Sequence, residues 1–196
     1  MLASHNSMSY LPPVTWWGKL IRPWSQCQSA TLQEQLLYGV HYFDLRVVYK
    51  YHKGKGYKLH FCHGITDYGV VTEQVFELLN RDKAIVRFSM DVRKRPDNPE
   101  KLKRWMFWDI KNLKQKYPNI TFDSIKFFWE EWSIDYGKQQ IAVTEKHWSV
   151  VPKKWYEWLM PIKYFAKKYR VKWLVEENHS MVYSKKEALM IDYVKG

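Results

Sequence analysis

Along most of the chain, stretches with a two-residue hydrophobic period alternate with stretches of three- to four-residue period, the marks of strands and helices in succession. The clearest strand is Gly39-Val-His-Tyr-Phe-Asp-Leu-Arg46, running on into Val47-Val-Tyr49. Strand side chains alternate faces, so Tyr42, Asp44 and Arg46 share one face and His41, Phe43 and Leu45 the other. Before it, Thr31 reads as the N-cap of a helix over Leu32–Leu37, with Glu34 completing a capping box and Gly39 ending the element. After it, His52-Lys-Gly-Lys-Gly56 is a turn, and Tyr57–Cys62 a strand ending at His63-Gly64. Val70–Leu79 has helical spacing, Ala84–Asp91 alternates as a strand, and Pro99–Tyr117 is a long helix opened by Asn98-Pro99. In the second strand Arg87, Ser89 and Asp91 share a polar face, with Val86, Phe88 and Met90 opposite.

The rest of the pattern is less regular. Leu11-Pro-Pro13 and Arg22-Pro23 predict a loop carrying Trp16, Trp17 and Trp24. Ile125–Trp132 and Gln140–Val143 read as strands, and Trp155–Tyr169 as a lysine-rich helix interrupted at Pro161. Trp173–Ser180 carries no clear period, and Ala188–Val194 reads as a final strand. Strands alternating with helices imply an α/β arrangement with mostly parallel strands, an open sheet or a barrel. No repeat, linker or low-complexity segment divides residues 1–196, so one domain is expected.

Composition narrows the function classes. A hydrophobic content of 46%, with 17% aromatics, belongs to a folded protein. Two cysteines, Cys27 and Cys62, make no disulfide framework. With no basic-then-apolar leader and no long apolar run, a cytoplasmic location is the default expectation. The net charge of +12 asks for polyanionic partners: an anionic membrane surface, a phosphorylated substrate or nucleic acid. Eleven tryptophans beside many lysines suit a membrane interface and also suit stacking on single-stranded bases. Lysines spread along the whole chain are also what an ordinary solvated surface looks like.

The candidate chemistry gathers at strand ends. His5, Asp44, Arg46, His63, Asp91 and Asp192 all fall at or near the C-terminal ends of expected strands, the rim on which parallel α/β barrels build their sites. An acid and an arginine two apart on one strand face are often only a structural ion pair. Two histidines with acids to orient them, joined by that arginine, instead meet the needs of phosphodiester cleavage. One imidazole takes a proton from the attacking hydroxyl, the other gives one to the leaving oxygen, and a guanidinium stabilises the phosphate oxygens. His41 and His60 point away from the rim by alternation and are expected as core or helix-facing residues; Cys62 is a small buried hydrophobe. His147 and His179 receive no role. No glycine-rich phosphate loop, Cys-x-x-Cys pair or nucleophile elbow is present.

Four motifs in order, Ser4-His-Asn-Ser7, Gly39-Val-His-Tyr-Phe-Asp-Leu-Arg46, Leu59-His-Phe-Cys-His-Gly64 and Ile191-Asp-Tyr193, resemble the phosphatidylinositol-specific phospholipase C family, closer to its bacterial branch. The resemblance implies a small irregular TIM-type barrel with parallel strands and phospholipase C-type cleavage. It implies His5 as general base with Asp192 as partner, His63 as general acid, Arg46 as the phosphate-binding arginine and Asp44 as the acid preceding it. It further implies intramolecular attack that gives a cyclic phosphodiester first. Asn6 departs from the aspartate of bacterial members and matches the animal calcium-dependent ones, and Asp91 stands where the former have lysine and the latter a calcium-binding glutamate. Arg46 occupies a position that is an acidic calcium ligand in the animal enzymes. A guanidinium there favours a metal-free site with no cofactor, calcium at Asn6, Asp44 and Asp91 being the alternative.

The expected partner is therefore a phosphodiester substrate, a phosphoinositide or other phospholipid, with peripheral contact to an anionic membrane; nucleic acid ranks below these. The competing reading is a catalytically weakened barrel that binds anionic lipid or nucleic acid through its basic, Trp-rich surface. The chain is also shorter than a usual barrel, and no motif marks the side chains that would hold inositol.

Overall fold

A computed structural model describes residues 1–92, 94–130, 133–135, 141–146, 154–164 and 187–194. Its centre is the long strand β2 (Val40–His52), entered through Gly39 at φ +81°, a left-handed turn that favours glycine. On one side β2 pairs in parallel with β5 (Ile85–Met90), placing Asp44 opposite Arg87 and Arg46 opposite Ser89. On the other side its first half pairs in parallel with β1 (Leu2–Ser4). Its second half pairs antiparallel with β3 (Gly56–His63), which continues into β4 (Thr66–Val70). Beyond β5 come β6 (Thr121–Phe127), parallel, and β7 (Ser133–Asp135), antiparallel. Beyond β1 come β9 (Glu187–Ile191) and β8 (Ala142–Lys146), both parallel. The first and last strands are thus neighbours, as the expected juxtaposition of His5 and Asp192 requires.

The sheet is mixed and curled into a half-barrel, a correction to the expected parallel TIM-type barrel. The reason lies in connection lengths. A parallel crossover needs a dozen or more residues, whereas three separate β2 from β3 and two separate β3 from β4, so both pairs are hairpins. The curl is seen in contacts across the concave side. Strands β5 and β8 stand four places apart, about 19 Å in a flat sheet. Arg87 Nη1 nevertheless lies 2.9 Å from Glu145 Oε1. The backbone N–H of Ile141 likewise reaches Asp123 of β6, at 3.4 Å.

Alternation sorts the interior into two parts. Phe43, Leu45, Val47, Phe88 and Met90 face outward and pack with Val75, Phe76 and Leu79 of α3 (Glu73–Arg81), and with Met106 and Ile110 of α4 (Pro99–Lys116). On the concave side Ala3, Tyr42, Ala188 and Met190 form a small apolar floor. Above it lie the charged side chains of β2 and β5. Helix α2 (Leu32–Leu37) has the expected capping box between Thr31 and Glu34.

Several sequence expectations shift. The Trp-rich loop is a helix, α1 (Trp16–Ser25), capped by the Thr15 hydroxyl and holding Pro23 in its last turn, where a missing N–H removes one hydrogen bond only. Gly18 fits because a Cβ there would meet Pro13 Cβ at 2.8 Å. The helix expected over Val70–Leu79 starts at Glu73; Val70 ends β4, and Val71 and Thr72 link the two. The strand expected over Ile125–Trp132 is β6, four residues earlier at its start, and the strand expected over Gln140–Val143 is β8. The expected helix Trp155–Tyr169 begins as a 3₁₀ turn, Trp155–Leu159; residues 165–169 and the segment 173–180 lie outside the described residues. His41 is exposed, not core or helix-facing. His147 and His179 lie outside the described residues.

Candidate active site

The rim at the ends of β1, β2, β5 and β9 collects the charged groups. His5 follows β1 and Asp192 follows β9, and because those strands are parallel neighbours, His5 Nδ1 meets Asp192 Oδ1 at 2.6 Å. Both side chains are buried. Gln28 ties the two strand ends together: its amide Nε2 donates to the carbonyls of His5 and Ile191 at 3.1 and 3.0 Å, and its Oε1 accepts from Val194 N–H.

Arg46 is bracketed by acids and by the imidazole. Its Nη2 lies 2.5 Å from His5 Nε2, its Nε 3.3 Å from Asp44 Oδ2 and its Nη1 3.6 Å from Asp91 Oδ2. The Phe128 ring lies under the guanidinium at 4.9 Å. Asp44 is fully buried and saturated: Oδ1 accepts from Ser89 Oγ (2.6 Å) and Arg87 Nε (3.1 Å), and Oδ2 from Asn6 N–H (3.2 Å) as well as Arg46. Burial alone would raise its carboxyl, but the guanidinium charges of Arg87 and Arg46, with His5 and the Ser89 hydroxyl, hold it well below the usual carboxylate range. For Arg46 too, burial works against the charge, and Asp44 and Asp91 outweigh it, so the guanidinium stays ionised.

His63, from the end of β3, sits with its ring centre 6.1 Å from that of His5 and nearly perpendicular to it. Its Nδ1–H donates to the Ser25 carbonyl at 2.7 Å, which leaves Nε2 as the nitrogen available to a ligand. Asp91 anchors the same corner by accepting from Gly64 N–H at 2.7 Å. His63, Asp91, Ser25 and Trp24 line an open cavity of about 400 Å³. Burial, with the nearby positive charge of Arg46, depresses the His63 imidazole to about 4, against the opposing pull of the Ser25 carbonyl. It is neutral at pH 7.

His5, Arg46, Asp44, Asp91 and Asp192 thus form one connected network, with His63 beside it. Asn6 joins through its backbone only, at φ +43°; its buried side-chain Oδ1 and Nδ2 find no hydrogen-bond partner among the described residues. Asn is among the residues that adopt this left-handed conformation most readily. His60 lies away from this network, hydrogen-bonded to Asp67 and His52. Sequence reasoning missed three contributors. Arg87 was placed on the right face but given no partner. Gln28 and the Ser25 carbonyl lie in irregular backbone, where no periodicity marks them.

No protein-family model matches the chain, and no curated protein matches it. Its fold is similar to that of solved bacterial phosphatidylinositol-specific phospholipases C. The phosphatidylinositol-specific phospholipase C of Listeria monocytogenes aligns over 98% of this chain and 87% of its own, at 14% identity and a TM-score of 0.59. Two variants of the Staphylococcus aureus phosphatidylinositol-specific phospholipase C align over all of this chain and 86% of theirs, at 10% and 12% identity and TM-scores of 0.57 and 0.55.

Proposed function

We propose that the protein is a metal-independent phosphodiesterase of the phospholipase C type, acting on a phosphodiester with a neighbouring hydroxyl, an inositol phospholipid first among them. The observation that carries this is the arrangement His63 and His5, 6.1 Å apart, with Arg46 bonded to His5 and Asp192 behind it. In the free protein Arg46 occupies His5 Nε2. An incoming phosphate draws the guanidinium to its own oxygens, where two parallel hydrogen bonds suit a planar fork. His5 Nε2 is then free to accept the proton of the attacking hydroxyl, while Asp192 stabilises the imidazolium that forms. The new O–P bond closes a cyclic phosphodiester as the bond to the leaving oxygen breaks.

His63 supplies the proton for that leaving oxygen. It is neutral in the free protein, so it must gain the proton as substrate binds; the phosphate's negative charge raises its pKa and supplies the reason. In the second half the roles reverse: His63 takes a proton from water and His5 returns one to the ring hydroxyl. Asp44 and Arg87 do not touch the reacting atoms. They hold Arg46 in place, since Asp44 sits between the two guanidinium groups.

The disposition of the acids supports the metal-free form over calcium at Asn6, Asp44 and Asp91. Calcium takes six to eight oxygen ligands. Both Asp44 oxygens already accept two donors each, and Arg46 stands between Asp44 and Asp91. A cation there would have to displace the guanidinium.

A lipid surface suits the cavity mouth. Helix α1 buries only Gly18 and Ser25, and leaves Trp16, Trp17, Leu20 and Trp24 between 46% and 62% exposed, with Trp16 and Trp17 stacked at 3.9 Å. Trp24 also lines the cavity, and Lys19 and Arg22 lie on the same helix. Indole rings beside cations favour the headgroup level of an anionic bilayer, so the reading is peripheral docking with the cavity facing lipid. Among the described residues no helix is long and apolar enough to cross a membrane. Incubation with a panel of phosphodiesters, with and without a chelator, tests the function. Cyclic product formed from phosphatidylinositol in the chelator supports it, and release only on adding calcium overturns the metal-free form.

A further inference from the structure

We infer that His5, Cys27 and Asp192 form a binding site for a borderline-soft divalent cation such as Zn²⁺, and that filling it shuts the paired-histidine site. One ligand atom from each residue lies within 4.8 Å of the others, and all three side chains are buried. In a tetrahedral zinc site with bonds of about 2.0–2.3 Å, ligand atoms stand roughly 3.3–3.7 Å apart. His5 Nδ1 and Asp192 Oδ1 stand 2.6 Å apart and the three ligand atoms all lie within 4.8 Å of one another, so movements of about an ångström would close the site. Three protein ligands leave the fourth position of the tetrahedron to a water, and His63, whose Nδ1 lies 3.6 Å from Cys27 Sγ, stands beside it as a neighbour and not a ligand.

The donor set sets the metal class. Imidazole, thiolate and one carboxylate suit zinc, whereas calcium and magnesium ask for oxygen shells. Asp44 and Asp91 stay out, since they hold Arg46. The ligands also share a frame: Ser9 Oγ accepts from the backbone N–H of Cys27 and of Gln28, and Gln28 in turn bonds the His5 carbonyl. Outer bonds of this kind orient ligands in metal sites. His63 lines the open cavity and so marks the way in.

Burial, and then the Asp192 carboxylate, push the Cys27 thiol well up, so it carries its proton in the metal-free protein. Binding breaks the S–H bond, forms the S–metal bond and releases that proton to solvent, while the proton on His5 Nδ1 moves to Nε2, from which Arg46 withdraws. Binding itself needs no functional assumption. The shutdown rests on the phosphodiesterase reading, because a metal-bound His5 no longer accepts a proton.

The test titrates Zn²⁺ alone into the full chain and into Cys27→Ser and Cys27→Ala, by calorimetry in buffers of different ionisation enthalpy, with Ca²⁺ and Mg²⁺ as controls. Co²⁺ serves as a second probe, since a thiolate ligand gives a charge-transfer band in the near ultraviolet. Expected are one Zn²⁺ per chain with proton release, the cobalt band in the wild type, and at least about 10²-fold weaker binding in both variants. Absence of stoichiometric binding, absence of the cobalt band, or unchanged affinity in folded variants would overturn the site. If the variants do not fold, the wild-type cobalt band decides. In chelator, Cys27→Ser keeps wild-type turnover, and added zinc inhibits only the wild type. Zinc bound through Cys27 to a protein that cleaves no phosphodiester would leave the site standing and bring down the functional reading; turnover with zinc bound independently of Cys27 would do the reverse.

Discussion

The two histidines of the rim are held in opposite ways. His5 is clamped between a carboxylate at one ring nitrogen and a guanidinium at the other, and is buried. His63 is held by a neutral backbone carbonyl at one nitrogen and meets an open cavity. The carboxylate behind His5 stabilises that ring's charged form, whereas for His63 burial and the Arg46 charge outweigh the pull of the Ser25 carbonyl toward the charged form. The difference teaches a division of labour. In the proposed mechanism the clamped ring receives a proton, and the open ring acquires one only when an anion arrives.

Removing either ring should have the largest effect. His5→Ala and His63→Ala should each lower turnover by about 10²–10⁴, with folding retained, as read by initial rates and circular dichroism. Wild-type rates in both would end the comparison. Arg46→Lys comes next: an ammonium keeps the charge but cannot form the planar fork, so kcat/KM should fall by tens of fold or more. Asp192→Asn should be milder than His5→Ala, because it removes charge support behind His5 and leaves the ring. It should lower kcat with little change in KM, since Asp192 supports the charge that develops during reaction.

A smaller effect distinguishes His63 by pH. Its folded pKa of about 4 lies below the ordinary 6.5, so the unfolded chain takes up this proton first. The stability it contributes is present above pH 6.5 and is lost as pH falls toward 4. Between pH 7.5 and 5 the cost is at most ~2 kcal/mol, less where cavity water reaches the ring. Denaturant titrations should show His63→Gln losing less stability than the wild type over that interval. An equal loss in both would place the ring in water. The smallest expected effect is at the surface: Trp16→Ala with Trp17→Ala should weaken binding to anionic vesicles without altering cleavage of a soluble substrate.

Much of this site was legible because strands impose it. A two-residue period puts Asp44 and Arg46 on one face and Arg87 and Asp91 on the neighbouring face, and strand ends put His5 and His63 on one rim. Other parts were not. Antiparallel β3 and β4 hid behind a pattern that looked parallel, although the three-residue turn at Lys53–Lys55 already forbade a crossover. Helix α1 does not stand out in the sequence because Pro12 and Pro13 before it and Pro23 within it dominate the pattern and only Gly18 and Ser25 are buried, so no core-facing stripe announces it. Gln28 and the Ser25 carbonyl act from irregular backbone, and the meeting of Cys27 with both histidines depends on tertiary folding. The side-chain amide of Asn6 has no hydrogen-bond partner among the described residues, a feature that needs coordinates to be seen.

The central claim is that His5 and His63 exchange protons around a phosphate without a metal. Phosphorus NMR on phosphatidylinositol in a chelating buffer tests it most directly. Expected is a cyclic phosphodiester that appears first and then decays to the monoester, with both steps slowed in His5→Ala and in His63→Ala. Monoester formed with no cyclic species, or cleavage that is silent in chelator and restored by calcium, would contradict it.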